Sequence, residues 1–297
     1  MKAAAIGIGS NSLRMLVADI EDGKLKNTMR YRQGLRMFAA LDADGCITKE
    51  MIETACQSVS SFREEALKQG AAEVHLFATS AVRDAGNQDE LADAFRTRCG
   101  LELDVCSGDT EASLSFWGAA GSGKSGLIDI GGGSTEIAVG CGKEIDDAVS
   151  LQMGAVRLFR MKPIACAKDA EEVVELAADI LKPVRERFDS AETREWTGVG
   201  GTFTTSAAVV QRIPWQQRQN IHNFTMTQDM VKQAMDTLAD MPMEERLKLE
   251  CMQPQRADIV VHGIAILLAC MRGLHIPAIT VSEHGNLEGY LKVKYIY

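Results

Sequence analysis

No stretch of this chain is apolar for more than a few residues, which argues against a membrane-spanning helix. The amino terminus runs from Met1-Lys2 straight into Ala3-Ala4-Ala5-Ile6 and lacks the length and flanks of a secretory signal, so a cytoplasmic protein is expected. The eight cysteines are scattered, none within three positions of another, which argues against a zinc-ligand pair or a redox pair. They read as reduced, packed thiols. The five histidines form no metal constellation, and His262 sits in an apolar helical pattern as a packing residue. Positive charge is in deficit: 32 Lys and Arg face 41 Asp and Glu, a formal charge of −9. Nucleic acid and membrane surfaces are held chiefly by clustered cations, so neither is an expected partner. Any anionic ligand must be met locally, by main-chain amides and a few placed arginines.

What is present is length and repetition. At 297 residues the chain exceeds what one hydrophobic core usually serves, and two domains are expected. Strand patterns at Ala3–Ile8, Leu13–Ile20 and Lys24–Arg32 surround a Gly9-Ser10-Asn11-Ser12 turn. The pattern returns as Gly126–Ile130, Thr135–Gly140 and Ile145–Leu151 around Gly131-Gly132-Gly133-Ser134. The segments that follow, Gln33–Met37 and Met153–Leu158, correspond loosely. The first copy leads to a helix Lys49–Gln69, a strand Glu73–Ala78, a helix Asn87–Cys99 and a strand Leu101–Cys106. The second leads to a helix Ala170–Arg187, a strand Trp196–Val199, helices Gly201–Gln211, Gln228–Leu238 and Arg256–Arg272, a strand Ala278–Ser282 and a short final helix. These patterns predict two α/β lobes facing each other across a cleft, with the helix Asp109–Gly118 as hinge.

A glycine-rich turn exposes N–H groups without side-chain obstruction and can wrap a phosphate oxygen. Three turns qualify: Gly9–Ser12, Gly131–Thr135 and Gly198–Thr202. Each alone also reads as an ordinary turn. Arg14 and Arg83 are the arginines expected on substrate oxygens, because a guanidinium fork matches phosphate geometry.

Several segments come in an order that resembles the Ppx/GppA family, the exopolyphosphatases and guanosine pentaphosphate phosphatases. They are Ile8–Ser12, Ala78–Ala85, Ser107–Ala112, Asp129–Glu136, Gly154–Leu158, Val199–Thr202, Arg256–Ile259 and Glu288-Gly289. The resemblance spans nearly the whole chain. It implies an α/β fold of two actin-like (ribonuclease H-like) lobes, mixed sheets flanked by helices with a cleft between them, at residues 1–118 and 119–297. It implies Glu111 as the base that activates the attacking water, and Glu136 as the other catalytic carboxylate. Phosphates would be held by Gly9, Ser10, Asn11, Ser12, Arg14, Arg83, Gly131, Gly132, Gly133, Ser134, Gly200, Gly201 and Thr202. Asp129, at a strand end before a glycine turn, would hold Mg²⁺. Arg36, Arg157 and Arg256 also lie in these segments and equally suit structural ion pairs.

The chain departs from the family pattern at Gly7, where Asp is usual, at Thr110, where many members carry an acid, and in Gly285–Gly289, which lacks an arginine. Gly7 puts metal use and turnover in question. The expected reaction is hydrolysis of a terminal phosphoanhydride of inorganic polyphosphate or of guanosine pentaphosphate, in a possible homodimer. A non-catalytic sensor of polyphosphate or of guanosine penta- or tetraphosphate, and a phosphotransferase of the same superfamily, are the competing readings.

Overall fold

The computed structural model describes residues 1–188 and 195–297. The chain divides into two compact units, Met1–Gly118 with Asn286–Tyr297, and Ala119–Gly285. The first comprises β1 (Lys2–Ile8), β2 (Ser12–Glu21), β3 (Lys24–Gly34), α1 (Lys49–Lys68), β4 (Glu73–Ala78), α2 (Ser80–Arg83), α3 (Gln88–Ala94), β5 (Leu103–Val105) and α4 (Gly108–Ala119). The second comprises β6 (Lys124–Ile130), β7 (Thr135–Cys141), β8 (Glu144–Leu151), α5 (Ala155–Met161), α6 (Ala167–Leu181), α7 (Arg185–Phe188), β9 (Glu195–Val199), α8 (Gly201–Gln211), β10 (Thr225–Thr227), α9 (Gln228–Ala239), α10 (Met243–Lys248), α11 (Val260–Gly273) and β11 (Ala278–Val281). The last helix, α12 (Asn286–Tyr295), returns to the first unit.

The first sheet has the order β3-β2-β1-β4-β5, with β1 antiparallel to β2 and parallel to β4. Helices cover both faces of β1, so it reads as a continuous apolar run, and Ala3, Ala4 and Ala5 are fully buried. On one face, α1 presents Ile52, Cys56, Val59, Phe62 and Ala66 at helical spacing. Its large apolar side chains contribute about 1.5–3 kcal/mol each. Thr48 starts α1 by accepting the Met51 N–H at 3.3 Å. On the other face, Leu287, Tyr290 and Leu291 of α12 and Leu114 of α4 pack over Ala3, Ala5, Leu16 and Phe77. The Tyr290 ring stacks on Phe77 at 4.5 Å. Residues 286–297 therefore belong with the first unit and not, as the sequence pattern suggested, with the second: their apolar stripe is covered by the first sheet.

The second sheet runs β10-β11-β9-β6-β7-β8, with β9 parallel to both β6 and β11. Helix α11 is apolar nearly all round, and every residue from Val260 to Met271 is buried. A helix of that composition belongs inside a core, and α11 packs against α6 and α9. His262 is one of its packing residues, with Nε2 2.9 Å from the Lys162 carbonyl and its ring edge-on to Phe159. Both sheets open with the same three-stranded hairpin, β1-β2-β3 and β6-β7-β8, as the repeat in the sequence predicts.

Details differ from the sequence reading. The helix anticipated at Ala170–Arg187 splits into α6 and α7 around Pro183, whose ring clashes with the preceding helical turn. The helix anticipated at Asn87–Cys99 changes to a π-helical segment at Phe95–Cys99. The helix anticipated from Arg256 begins at Val260, preceded by a single 3-10 turn. Helices α2, α5 and α10 and strand β10 are short elements that periodicity did not reveal. Among the described residues, no helix is long and apolar enough to cross a membrane.

Candidate active site

The turn of the first unit is closed by the Gly9 N–H donating to the Ser12 carbonyl at 3.0 Å. Its carbonyls are turned inward by the segment after β3. Leu35 N and Arg36 N both donate to the Asn11 oxygen at 3.1 Å, and Phe38 N donates to the Ser10 oxygen at 2.9 Å. Arg36 pays for this double bond with a left-handed backbone, φ 52°, uncommon for a residue with a side chain. The second unit repeats the construction. Gly131 N donates to Ser134 O at 3.0 Å, Ala155 N to Gly131 O, and Val156 N and Arg157 N to Gly132 O. Arg157 adds its side chain, with Nε 2.7 Å from the Gly133 carbonyl. Tying carbonyls back in this way orients a turn's amides toward a ligand, the requirement for an anion cradle.

The side chains of the first turn are buried: Ser10, Asn11 and Ser12 are each at most 6% exposed. Ser10 Oγ lies 2.7 Å from Ser80 Oγ. Ser80 opens the four-residue helix α2, and Arg83 closes it. The Arg83 Nη1 donates to Glu111 Oε2 at 2.8 Å and to the Cys106 carbonyl at 3.2 Å. Glu111, in the first turn of α4, is itself buried. One turn of helix thus connects the glycine turn to the expected base. Arg83, predicted as a phosphate ligand, holds the carboxylate of Glu111. Burial, followed by the acids Asp104 and Glu111, pushes the nearby Cys106 thiol up to about 12, which makes it inert at neutral pH.

Arg14 follows the same turn, and its Nη2 donates to Asn286 Oδ1 at the start of α12, 3.1 Å away. Its cross-strand partner in register is Gly7. A Cβ at Gly7 would lie 2.8 Å from Phe77 Cζ and 3.4 Å from Leu287 Cδ2. Two departures from the family pattern, the glycine at 7 and the arginine-free stretch containing Leu287, therefore meet in one apolar contact.

In the second unit Asp129 and Glu136 are cross-strand partners on β6 and β7, so both carboxylates project from one face with Cβ atoms about 5 Å apart. Glu136 is 1% exposed, and its Oε1 accepts from Ser150 Oγ at 2.7 Å. Asp129 sits beside the third turn: a Cβ on Gly200 would lie 2.7 Å from its Oδ1. Gly200 has φ 91°, and Gly201, the first residue of α8, lies under Arg256, where a Cβ would fall 1.9 Å from the guanidinium carbon. Gly200 tolerates little but glycine. Thr202, predicted to contact phosphate, is the second residue of α8. It is buried, and its hydroxyl is directed at the Ile130 carbonyl at 3.4 Å.

Four supporting partners emerge from the structure, two of them, Arg157 and Arg256, at arginines that the sequence also offers for structural ion pairs. Ser80 braces Ser10, Ser150 braces Glu136, Arg157 clamps the second turn and Arg256 covers Gly201. For Arg157 the signal was present in the loose match between Gln33–Met37 and Met153–Leu158. The two serines carry no pattern of their own.

Magnesium suits a site of one or two carboxylates completed by waters and substrate phosphates. Asp129 and Glu136 meet that description, and two acids on one buried face favour a cation between them. Among the described residues no cluster of three or more His, Cys, Asp or Glu could hold a metal by itself.

A model of the Ppx/GppA phosphatase family matches residues 16–294. Exopolyphosphatase 2 of Mycobacterium tuberculosis is 31% identical, over 97% of both chains. A guanosine-5′-triphosphate,3′-diphosphate pyrophosphatase of Vibrio vulnificus is 30% identical over 96% of this chain, which covers 58% of that longer protein. The crystal structure of the Aquifex aeolicus Ppx/GppA family member superposes with a TM-score of 0.84 at 26% identity, over 99% of this chain and 97% of that one. The fold is the family's pair of actin-like α/β lobes, and the chain belongs to the Ppx/GppA phosphatase family.

Proposed function

We propose that this protein hydrolyses the terminal phosphoanhydride of inorganic polyphosphate, and of the 5′ end of guanosine pentaphosphate, with water as nucleophile. The observation that carries the reading is the α2 bridge, which has Ser10 of the glycine turn bonded at its first residue and Glu111 bonded at its last. In-line attack on a phosphoryl group needs a positioned water and donors that neutralise the equatorial oxygens. Glu111 takes the proton of the water, and its ion pair to Arg83 fixes the carboxylate in one orientation. In the first unit the amides of Gly9–Ser12 and the Arg14 guanidinium, and in the second the amides of Gly131–Ser134 and the α8 N-terminus at Gly200-Gly201, are the donors suited to phosphate charge. Glu136 assists. Asp129, with Glu136 across from it, would hold Mg²⁺, whose chemistry is to neutralise phosphate oxygens.

The relatives named as exopolyphosphatases and as a guanosine pentaphosphate hydrolase support this substrate class, a linear run of phosphates. A cytoplasmic location and a homodimer accompany the proposal; sedimentation tests the dimer. The competing sensor reading gains from Gly7, which leaves no acid at the place corresponding to Asp129 and where a Cβ would press on Phe77 and Leu287. The discriminating experiment measures phosphate release from polyphosphate and from guanosine pentaphosphate at several Mg²⁺ concentrations, alongside calorimetric binding. Hydrolysis supports the enzyme; tight binding with no release at any metal concentration establishes the sensor.

A further inference from the structure

Strand β3 carries Lys24, Lys26, Arg30 and Arg32 at even positions, which in a regular strand would line one face. The pairing shows a shorter row. Arg32 stands directly opposite Arg14 of β2, and Arg30 opposite Leu16. Between Val17 and Asp19 the register shifts, with Asn27 in a left-handed conformation, φ 47°. The shift turns Lys26 to the opposite face as the partner of Asp19, and its ammonium is met by Glu21 and Asp22. The odd positions Tyr31 and Gln33 bond Glu65 and Ser58 of α1, so Arg30 and Arg32 project from the other face, beside α12. There Arg30 reaches Glu288 at 2.5 Å, while Arg14 donates to the neutral amide of Asn286.

Three arginines therefore share one face of the sheet, in a row that begins two residues after Ser12 of the glycine turn. Arg14 and Arg32 are level, and Arg30 lies about 7 Å further along the strand. A linear polyanion that continues beyond the phosphates on the turn matches this row, because its charges recur along a line. A triphosphate-sized substrate held by the turn and Arg14 leaves Arg32 and Arg30 unused.

We propose that Arg32 and Arg30, continuing from Arg14, bind the phosphates of a polyphosphate chain beyond the scissile group, so that the row selects polymer over triphosphate-sized substrates. The inference rests on the hydrolytic reading above and assigns Arg32 and Arg30 as specificity-determining residues.

The test compares kcat/KM for tripolyphosphate and for long-chain polyphosphate in the wild type, Arg32→Gln and Arg32→Lys. Arg96→Gln, an exposed arginine in the π-helical segment, is the charge-removal control. The ratio of long-chain to tripolyphosphate kcat/KM is expected to fall about five- to tenfold in Arg32→Gln, the scale of one partly exposed charge contact. It should recover in part in Arg32→Lys and stay at the wild-type value in Arg96→Gln. The double variant Arg30→Gln/Glu288→Gln, which removes the ion pair as a unit, should lower the same ratio. A ratio unchanged in Arg32→Gln, or an equal loss on both substrates, overturns the proposal. If the wild type releases no phosphate from either substrate, the hydrolytic reading fails. The row is then decided by calorimetry: weaker long-chain binding in Arg32→Gln, with tripolyphosphate binding unmoved, supports it, and equal long-chain affinity for wild type and variant overturns it.

Discussion

Replacing Gly7 by Asp probes the departure that bears most directly on metal use. The glycine lies on the central strand, where a Cβ would stand 2.8 Å from Phe77 Cζ and 3.4 Å from Leu287 Cδ2. Phe77 is fully buried and stacked on Tyr290, so the ring cannot swing away without disturbing α12. Overpacking of this kind costs about 1–3 kcal/mol, and Gly7→Ala should show it alone. Gly7→Asp adds a buried charge, but Arg14 is its cross-strand partner on the same face. The carboxylate should therefore be compensated, leaving Gly7→Asp within about 1 kcal/mol of Gly7→Ala. Urea denaturation of the wild type, Gly7→Ala, Gly7→Asp, Arg14→Gln and the double variant Gly7→Asp/Arg14→Gln gives the coupling directly. A coupling of at least about 0.5 kcal/mol between positions 7 and 14 is expected, together with a steeper dependence of phosphate release on Mg²⁺ in Gly7→Asp. Full wild-type stability in both position-7 variants, or additive effects at 7 and 14, would refute the packing argument. An unchanged metal response would refute the link to magnesium.

Other outcomes follow from the same contacts. Arg83→Gln frees the Glu111 carboxylate from its ion pair and should lower kcat on the order of tenfold or more with little change in KM, since positioning and not binding is lost; a pure KM effect would make Arg83 a substrate ligand. Gly200→Ala, at φ 91° and with a methyl 3.2 Å from the Ile130 carbonyl, should lower the urea midpoint, with a loss of about 1–3 kcal/mol; an unperturbed midpoint would mean that the turn does not need a glycine there. Burial, with Arg246 nearby, lowers the pKa of His262 below 6.5 despite the Lys162 carbonyl. The unfolded chain then binds the proton more readily, so this stability is present above pH 6.5 and is lost as pH falls through the folded-state value. His262→Gln should flatten the acid side of the stability profile; burial gives His75 a pKa lowered in the same direction, so part of the slope should remain.

How much of this was legible in the sequence depends on the scale of the feature. The repeated hairpins were visible because strand alternation and glycine turns are local signals, and the structure reproduces even the inward-turned carbonyls in both copies. The placement of α12 was not, because Leu287, Tyr290 and Leu291 show an apolar stripe without saying which sheet covers it. Arg83 shows the same limit at the site. Its residue type and motif suggested phosphate, yet only the three-dimensional course of α2 shows that it meets Glu111. At Thr202 a threonine after paired glycines suits an anion turn, while its burial against α11, where a Cβ on Gly263 would lie 2.6 Å from the Thr202 hydroxyl, is not written in the sequence. The basic spacing of β3 also misleads alone, since one shift in register splits four cations between two faces.

The central claim is that Glu111, held by Arg83 at the end of α2, deprotonates the attacking water. The most direct measurement is phosphate release from saturating polyphosphate by Glu111→Gln, with polyphosphate affinity determined on the same preparation. Removal of a general base predicts a loss of at least about a hundredfold, with affinity within a few-fold of wild type. Release at the wild-type rate by a folded, substrate-binding Glu111→Gln protein would contradict the account.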